Sequence, residues 1–365
     1  MPGRFYLLDV MRGFASLAVI IYHFPLFFVA THPTVAKVPR EEQPFYPLLF
    51  PFYEHGFMAV QLFFVLSGFI FYWMYLDEVR ERRVRGWRFF VLRFSRLYPL
   101  HFVTLLMVAG LQFAHQSTSG SFIFYHQNDL KHFLLNVAFV SHWGWQDDWS
   151  FNAPIWSVSV EVLLYAIFFV FARLGLQSFA ACLLMMAAGA GLAHLATDQS
   201  IGYAVYCFYA GCLACRLYLS LRDRVFVVRR GPICILGCAL VVVVGARLAQ
   251  LVPGAYLPLV LFGLVFPALV LTLALIQEFS HESGRSIRLL GDLTYSTYLL
   301  HFPLALCFRV LDQHLFIQPA FASYGIFCGY FGLLFALSCL SYFWLERPAQ
   351  RYFRMRLMPM QPKVP

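Results

Sequence analysis

The sequence predicts an all-α polytopic membrane protein: about ten transmembrane helices around a polar interior, with both termini cytoplasmic. Three observations predict this. Of 365 residues, 61% are hydrophobic and 12% charged, with a mean hydropathy of +0.68; soluble domains average roughly 45–50% and about 25%. The apolar residues run unbroken rather than alternating, which selects helices over a closed barrel, the other structure that satisfies every backbone group in lipid. The basic residues are also sharply asymmetric along the chain, as described below.

The apolar windows are 7–30, 56–76, 97–115, 158–173, 178–197, 201–219, 231–250, 255–277, 291–311 and 321–345. Most are near the ~20 residues needed to cross ~30 Å of hydrocarbon. The first could be mistaken for a signal peptide, but its apolar part is long and carries Asp9 and Arg12, so it reads as a retained span. Window 158–173 is short with a polar entry, and 130–142 alternates apolar with polar residues in the manner of an interfacial segment. The longest intervening stretch, 116–157, is too short for a soluble domain. The expectation is one membrane-embedded domain over 1–365.

Charge tests this layout independently of hydropathy. With the N-terminus inside, the outer segments hold only Lys37, Arg40, Lys131, Arg247 and Arg309, and the first span holds Arg12. Every other member of the 27 Lys and Arg falls on an inner segment, as the positive-inside rule requires. The net charge of +9 is thus a signal of topology and of contact with anionic membrane lipids, and gives no reason to invoke nucleic acid. All nine Cys fall in or beside spans, which predicts no disulfide framework, and Cys212-Leu-Ala-Cys215 reads as small packing residues rather than a metal or redox centre.

Ionisable groups in lipid cost a few kcal/mol and usually have work to do. Arg12 and His23 share the first span; eleven positions at 100° each bring them within ~20° of one face, ~16 Å apart along the axis. The plain alternative is that Arg12 snorkels to headgroups beside Asp9 while His23 makes one core hydrogen bond. Pro25, which cannot donate to the carbonyl of Ile21, opens the backbone beside His23 and favours a polar cavity. Ser67-Gly68, Glu161, Asp292 and His301 are further polar groups in spans, and Ser157 and Glu161 share a face at i,i+4.

On the inner side, Arg93 and Arg96 at i,i+3 precede Tyr98-Pro99, where two guanidinium groups can clasp the phosphates of a soluble nucleotide-like donor. On the outer side, Trp143-Gly-Trp-Gln-Asp-Asp-Trp149 interleaves indoles with carboxylates and an amide. It reads either as an interfacial aromatic belt or as a platform for the apolar face of a sugar.

The string Leu8-Asp9-Val10-Met11-Arg12-Gly13-Phe14-Ala15, continuing to Tyr22-His23, resembles the opening motif of the integral-membrane acyltransferase-3 family. Five later blocks resemble the family in its own order: Phe63–Phe69 around Ser67-Gly68, Arg93-Phe-Ser-Arg96-Leu-Tyr98-Pro99, Asn152–Glu161 with Trp156-Ser157, Leu290–Pro303 with Asp292 and His301, and Glu346-Arg-Pro348. Together they cover nearly the whole chain. Where the family often has a second Glu and then Gln after the position of Glu161, this chain has Val162 and Leu163, so roles resting on those side chains do not transfer. No esterase-like domain is expected after the last span, which would leave transfer to the membrane domain or a separate partner.

The resemblance implies transfer of an acyl group, commonly acetyl, from acyl-CoA to a hydroxyl of a carbohydrate or lipid-linked sugar, in a bacterial inner membrane. It implies a catalytic role for His23 and an essential one for Arg12. It also implies donor-side roles for Arg93 and Arg96. On that reading Glu161 or Asp292 orients the imidazole, with Asp9, Ser67, Tyr98, Trp156, Ser157 and His301 acceptor-side or supporting and no metal needed. The rival from another class is a transporter or flippase for an acylated or lipid-linked sugar, since buried Arg, His and Glu also line transport paths.

Overall fold

The computed structural model describes residues 4–27, 39–222, 226–251, 254–279, 282–315 and 323–358, and among them there is no β-strand. The predicted span ends 28–30 and 321–322, together with Lys37 and Lys363, lie outside the described residues. In chain order the helices are α1 (Tyr6–Phe27), α2 (Tyr46–His55), α3 (Ala59–Arg80), α4 (Gly86–Ser119), α5 (Leu130–Val137), α6 (Trp156–Arg173), α7 (Phe179–Leu195) and α8 (Ser200–Arg222). They continue with α9 (Phe226–Leu251), α10 (Leu257–Val260), α11 (Phe266–Phe279), α12 (Arg288–Asp292), α13 (Thr294–Leu315), α14 (Tyr324–Leu340) and α15 (Arg347–Leu357).

Every predicted apolar window falls largely on helix among the described residues. Among the described residues, seven helical stretches are long and apolar enough to cross a membrane, and α7 and Ile235–Gly245 are shorter apolar helices. The chain is thus an all-α polytopic membrane protein. Two boundaries differ from the hydropathy reading. Helix α4 starts at Gly86, eleven residues before its apolar window, and carries Arg93 and Arg96 through Pro99 without a break. Helix α2, with Pro at its first turn where a missing N–H costs nothing, occupies a segment that no apolar window marked. The interfacial window 130–142 yields only α5, whose first turn is capped by Asp129, its carboxylate accepting the His132 N–H at 2.9 Å.

Backbone contacts group the chain into two compact units, residues 1–15, 58–85 and 160–291 in one, and 16–57, 86–159 and 292–365 in the other.

In the first unit, α8 packs extensively on α3 and α7. The α3–α8 contact is backbone on backbone: a Cβ at Gly68 would lie 1.8 Å from the Phe208 carbonyl oxygen, and one at Gly211 would lie 2.0 Å from that of Val65. Small residues let membrane helices approach this closely, where dispersion rather than the hydrophobic effect holds them together. The first turn of α1 belongs to this unit, and its orphan Leu7 N–H is taken by the side chain of buried Gln277 at 2.9 Å. At the other end of α3, Arg216 donates to the Gln177 carbonyl at 2.7 Å and to Tyr72 Oη at 3.2 Å.

In the second unit, α4 packs on α13 and α15, and α13 on α14. Ser16 of α1 pairs with Thr297 of α13 at 2.8 Å, and His23 with His301 farther along. The contacts advance in the same sense on both helices, so α1 and α13 run parallel, as the first and ninth spans of an alternating bundle do. Along α4, Trp87, Phe90, Phe94, Tyr98 and Phe102 stack successively at 5.6, 5.4, 4.4 and 5.8 Å, which the i,i+3 and i,i+4 spacing produces.

Candidate functional site

The second unit holds the imidazole pair. His301 is fully buried; its Nδ1 lies 2.5 Å from the carbonyl oxygen of Tyr298, and its Nε2 lies 3.3 Å from Nδ1 of His23. The two rings lie nearly parallel, at 11°, with centroids 5.4 Å apart. A carbonyl only accepts, so the proton of a neutral His301 sits on Nδ1 and its Nε2 is an acceptor. His23 must then donate through Nδ1–H, which leaves its basic lone pair on Nε2. The tautomer is thus set by geometry two bonds removed from the reactive nitrogen.

Three further contacts hold His301 in place. Pro303 supplies no N–H to the Leu299 carbonyl four residues earlier, and the Asn152 amide donates to that oxygen at 3.2 Å. Tyr330 Oη donates to the His301 carbonyl at 2.8 Å. Tyr298 Oη bonds with Ser157 Oγ at 2.7 Å and donates to the Pro154 carbonyl at 3.0 Å. The short helical turn Ala153–Ile155 and the first turn of α6 are therefore clamped to α13, which gives the Asn-Ala-Pro-Ile-Trp-Ser block a structural purpose.

Ser157 and Glu161, which share a face by spacing, bond to different partners. Ser157 turns to Tyr298, whereas Glu161 Oε1, in the first unit, accepts from Ser67 Oγ at 2.6 Å and from Tyr165 Oη at 2.5 Å. Tyr165 is in turn stacked on Phe71 at 4.2 Å. The imidazole that faces His23 is that of His301, which sequence reasoning placed only among the acceptor-side or supporting residues. Asp292 is the last residue of α12 and is half-buried.

Asp9 and Arg12 come together as expected, Arg12 Nη1 lying 3.9 Å from Asp9 Oδ1, but Asp9 also takes an ion pair from Arg4, which the sequence reading did not assign. Gly291 comes close to this turn: a Cβ there would lie 2.5 Å from the Asp9 carbonyl oxygen. The glycine of the Leu290-Gly291-Asp292 block is thus a contact surface for the Asp-Arg turn of α1.

Arg93 and Arg96 sit on α4, the first half-buried and the second exposed. Between them, Ser95 Oγ accepts from Arg354 Nε of α15 at 3.3 Å, which adds a third guanidinium to the same end of the unit. Glu346 feels the charge of Arg96 and accepts from Ser296 and, at 3.1 Å, from Ser341. Arg354 and Glu346 were missed as site residues because their approach to α4 depends on how α15 folds back. Tyr98 belongs to the aromatic stack of α4, with its ring on Phe94.

A family model described as an acyltransferase domain matches residues 5–343. Protein 2 in the picA locus of Rhizobium radiobacter is 32% identical over 109 residues, 30% of this chain and 46% of that protein. Acyltransferase MdmB of Streptomyces mycarofaciens is 31% identical over 170 residues, 45% of this chain and 38% of that protein. Peptidoglycan O-acetyltransferase OatA of Listeria monocytogenes is 23% identical over 347 residues, 81% of this chain and 49% of that protein. The chain thus spans less than half the length of each of these relatives. No solved structure matches it.

Proposed function

The chain belongs to the integral-membrane acyltransferase-3 family, and from that premise we propose that it moves an acyl group, most often acetyl, from acyl-CoA to a hydroxyl of a carbohydrate. The acceptor is a cell-surface or exported polysaccharide or its lipid-linked precursor, and the setting is a bacterial inner membrane. The His23–His301 pair carries the proposal. A sugar hydroxyl is a poor nucleophile, and an imidazole whose lone pair is held on a known nitrogen is the group that activates it.

On this reading His23 Nε2 removes the hydroxyl proton as the oxygen attacks the thioester carbonyl. The C–S bond breaks, and the departing thiolate takes the proton back from the imidazolium, so the products are an ester and free coenzyme A. General-base help of this kind contributes ~10²–10⁴-fold. The positive charge that His23 gains at Nε2 is stabilised through the Nδ1–H it already donates to His301, so that bond needs no reorganisation during the step.

The donor carries phosphates, and Arg93, Arg96 and Arg354 offer guanidinium groups suited to them. On the same reading the donor's arm runs inward past Arg12, eleven residues before His23 on α1. Glu161, fixed by Ser67 and Tyr165, has a supporting catalytic role on this reading.

The test is acyl transfer by the purified full-length protein in lipid nanodiscs, with acyl-CoA and a glycan acceptor and no ion gradient, read as free thiol release. His23→Ala is expected to abolish acceptor-dependent release. Wild-type release from that variant would remove His23 as the base, and release that requires a gradient would favour a transporter.

A further inference from the structure

The segment Trp143-Gly-Trp-Gln-Asp-Asp-Trp149 divides into an anchor and an exposed part. Trp143 is the anchor: its indole N–H donates to the Ser159 carbonyl at 2.9 Å, and the neighbouring His142 N–H donates to Ser159 Oγ at 3.2 Å. Both bonds fasten the segment to the first turn of α6. At its other end, Trp149 is 39% exposed and lies nearly parallel to the His142 ring, centroids 5.4 Å apart at 20°. The His142 ring also packs at 5.2 Å on half-buried Trp156, and the two indoles meet edge to face at 6.3 Å. Gln146 holds the middle ring by donating its amide N–H to His142 Nδ1 at 3.0 Å.

We propose that Trp149, Trp156 and the His142–Gln146 pair form an acceptor subsite for a neutral hexopyranose ring. This rests on the acyltransferase reading, and names where the acceptor is held and which sugars it excludes. The C–H face of a pyranose packs on an exposed indole, and a three-ring corner fixed before binding loses little entropy when it does so. Sugar hydroxyls at the rim need acceptors, which the Gln146 amide oxygen and the exposed Asp148 carboxylate supply.

Charge selects among sugars. The exposed acidic groups of this region are Asp129, Asp147 and Asp148, and its nearby cation, Lys131, is paired with Asp147 at 2.7 Å. A uronic acid or sugar phosphate would bring like charge to this rim, whereas a neutral hexose would not. The corner is also tied to the chemistry within the same unit: Trp156 precedes Ser157, Ser157 bonds Tyr298, and the Tyr298 carbonyl accepts from His301, the partner of His23.

The test uses the full-length protein in nanodiscs with two probe sets. One is a panel of neutral oligosaccharides comprising α- and β-glucans, mannans and galactans; the other is trigalacturonate. Saturation-transfer NMR and titration report affinity. At least one neutral member should bind, with saturation concentrated on ring C–H protons, and Trp149→Ala should weaken it about tenfold or more. Trp149→Phe, which keeps an aromatic face and guards against misfolding, should weaken it less, while Trp145→Ala binds like the wild type. Trigalacturonate should bind more weakly and recover in Asp147→Asn/Asp148→Asn.

Failure of every neutral sugar to bind, undiminished binding by Trp149→Ala, or equal binding of trigalacturonate each overturns the subsite. Acyl transfer with no dependence on Trp149 keeps the enzyme and discards the subsite. Sugar binding lost on Trp149→Ala, without any acyl transfer, keeps the subsite and discards the enzyme.

Discussion

Replacing His301 with Ala removes the acceptor that receives the His23 Nδ1–H at 3.3 Å. His23 is then released to populate both tautomers and to rotate, and one of its tautomers carries the proton on the nitrogen needed as base. Losing one partner of a buried hydrogen bond costs ~1–3 kcal/mol. If that loss falls on the step in which His23 works, kcat falls about 5- to 150-fold, at ~1.36 kcal/mol per tenfold. The assay is steady-state thiol release in nanodiscs, varying donor and acceptor separately. The acceptor KM should stay within about twofold, because uniform binding is untouched while the transition state is not. His301→Gln, whose amide oxygen can accept the same proton, should recover most of kcat. In His23→Ala the His301→Ala change should add little, because the two act as a unit. An unchanged kcat in a folded His301→Ala protein, or full multiplication of the two single effects, refutes a positioning role for His301.

Asn152→Ala leaves the Leu299 carbonyl unpaired behind Pro303 and should cost ~1–3 kcal/mol, seen as a lower melting temperature with a matching loss of kcat through displaced His301. Gly68→Val forces a side chain into a gap where even a Cβ would lie 1.8 Å from the Phe208 carbonyl oxygen; the protein should fail to reach the detergent-stable state in size-exclusion chromatography, whereas Gly237→Ala, with open space around it, should not. Asp129 is held below its ordinary carboxylate value of 3.8, first by the His132 backbone N–H and then by the His132 ring. A depressed carboxylate stabilises above its unfolded pKa and loses that contribution as pH falls through the folded value. Amides of α5 should therefore exchange faster as pH drops below about 4, after correction for intrinsic rates, and Asp129→Asn should flatten that response. Arg93→Ala and Arg96→Ala should each raise the KM for acyl-CoA several-fold with a smaller change in acceptor KM, measured in the same assay; equal change in both would argue against a donor role.

The span pattern was legible because it rests on local quantities. Unbroken apolar runs, their length against the bilayer and the sidedness of Arg give helices and direction without tertiary detail, and the parallel contact of α1 with α13 agrees with that alternation. The candidate polar groups were legible for the same reason: an ionisable residue in an apolar run stands out wherever the helix ends up. Partnership was not. Ser157 and Glu161 share a face by periodicity, yet one pairs with Tyr298 and the other with Ser67, because the choice depends on which helix each face meets. Helix α2 escaped notice because it is short and rich in Pro and aromatic residues.

By itself, the sequence determined that the chain is helical, lies in a membrane, belongs among acyltransferases by its ordered blocks, and places Arg12 and His23 on one span. Only the tertiary structure decided that His301 faces His23, that the Tyr298 carbonyl fixes the proton between them, that Asn152 repairs the backbone opened by Pro303, and that Arg354 joins the guanidinium groups of α4. Helix formation and membrane insertion are governed by residues adjacent in sequence. The placement of a proton is governed by an atom hundreds of residues away, brought within hydrogen-bond distance only when the helices pack.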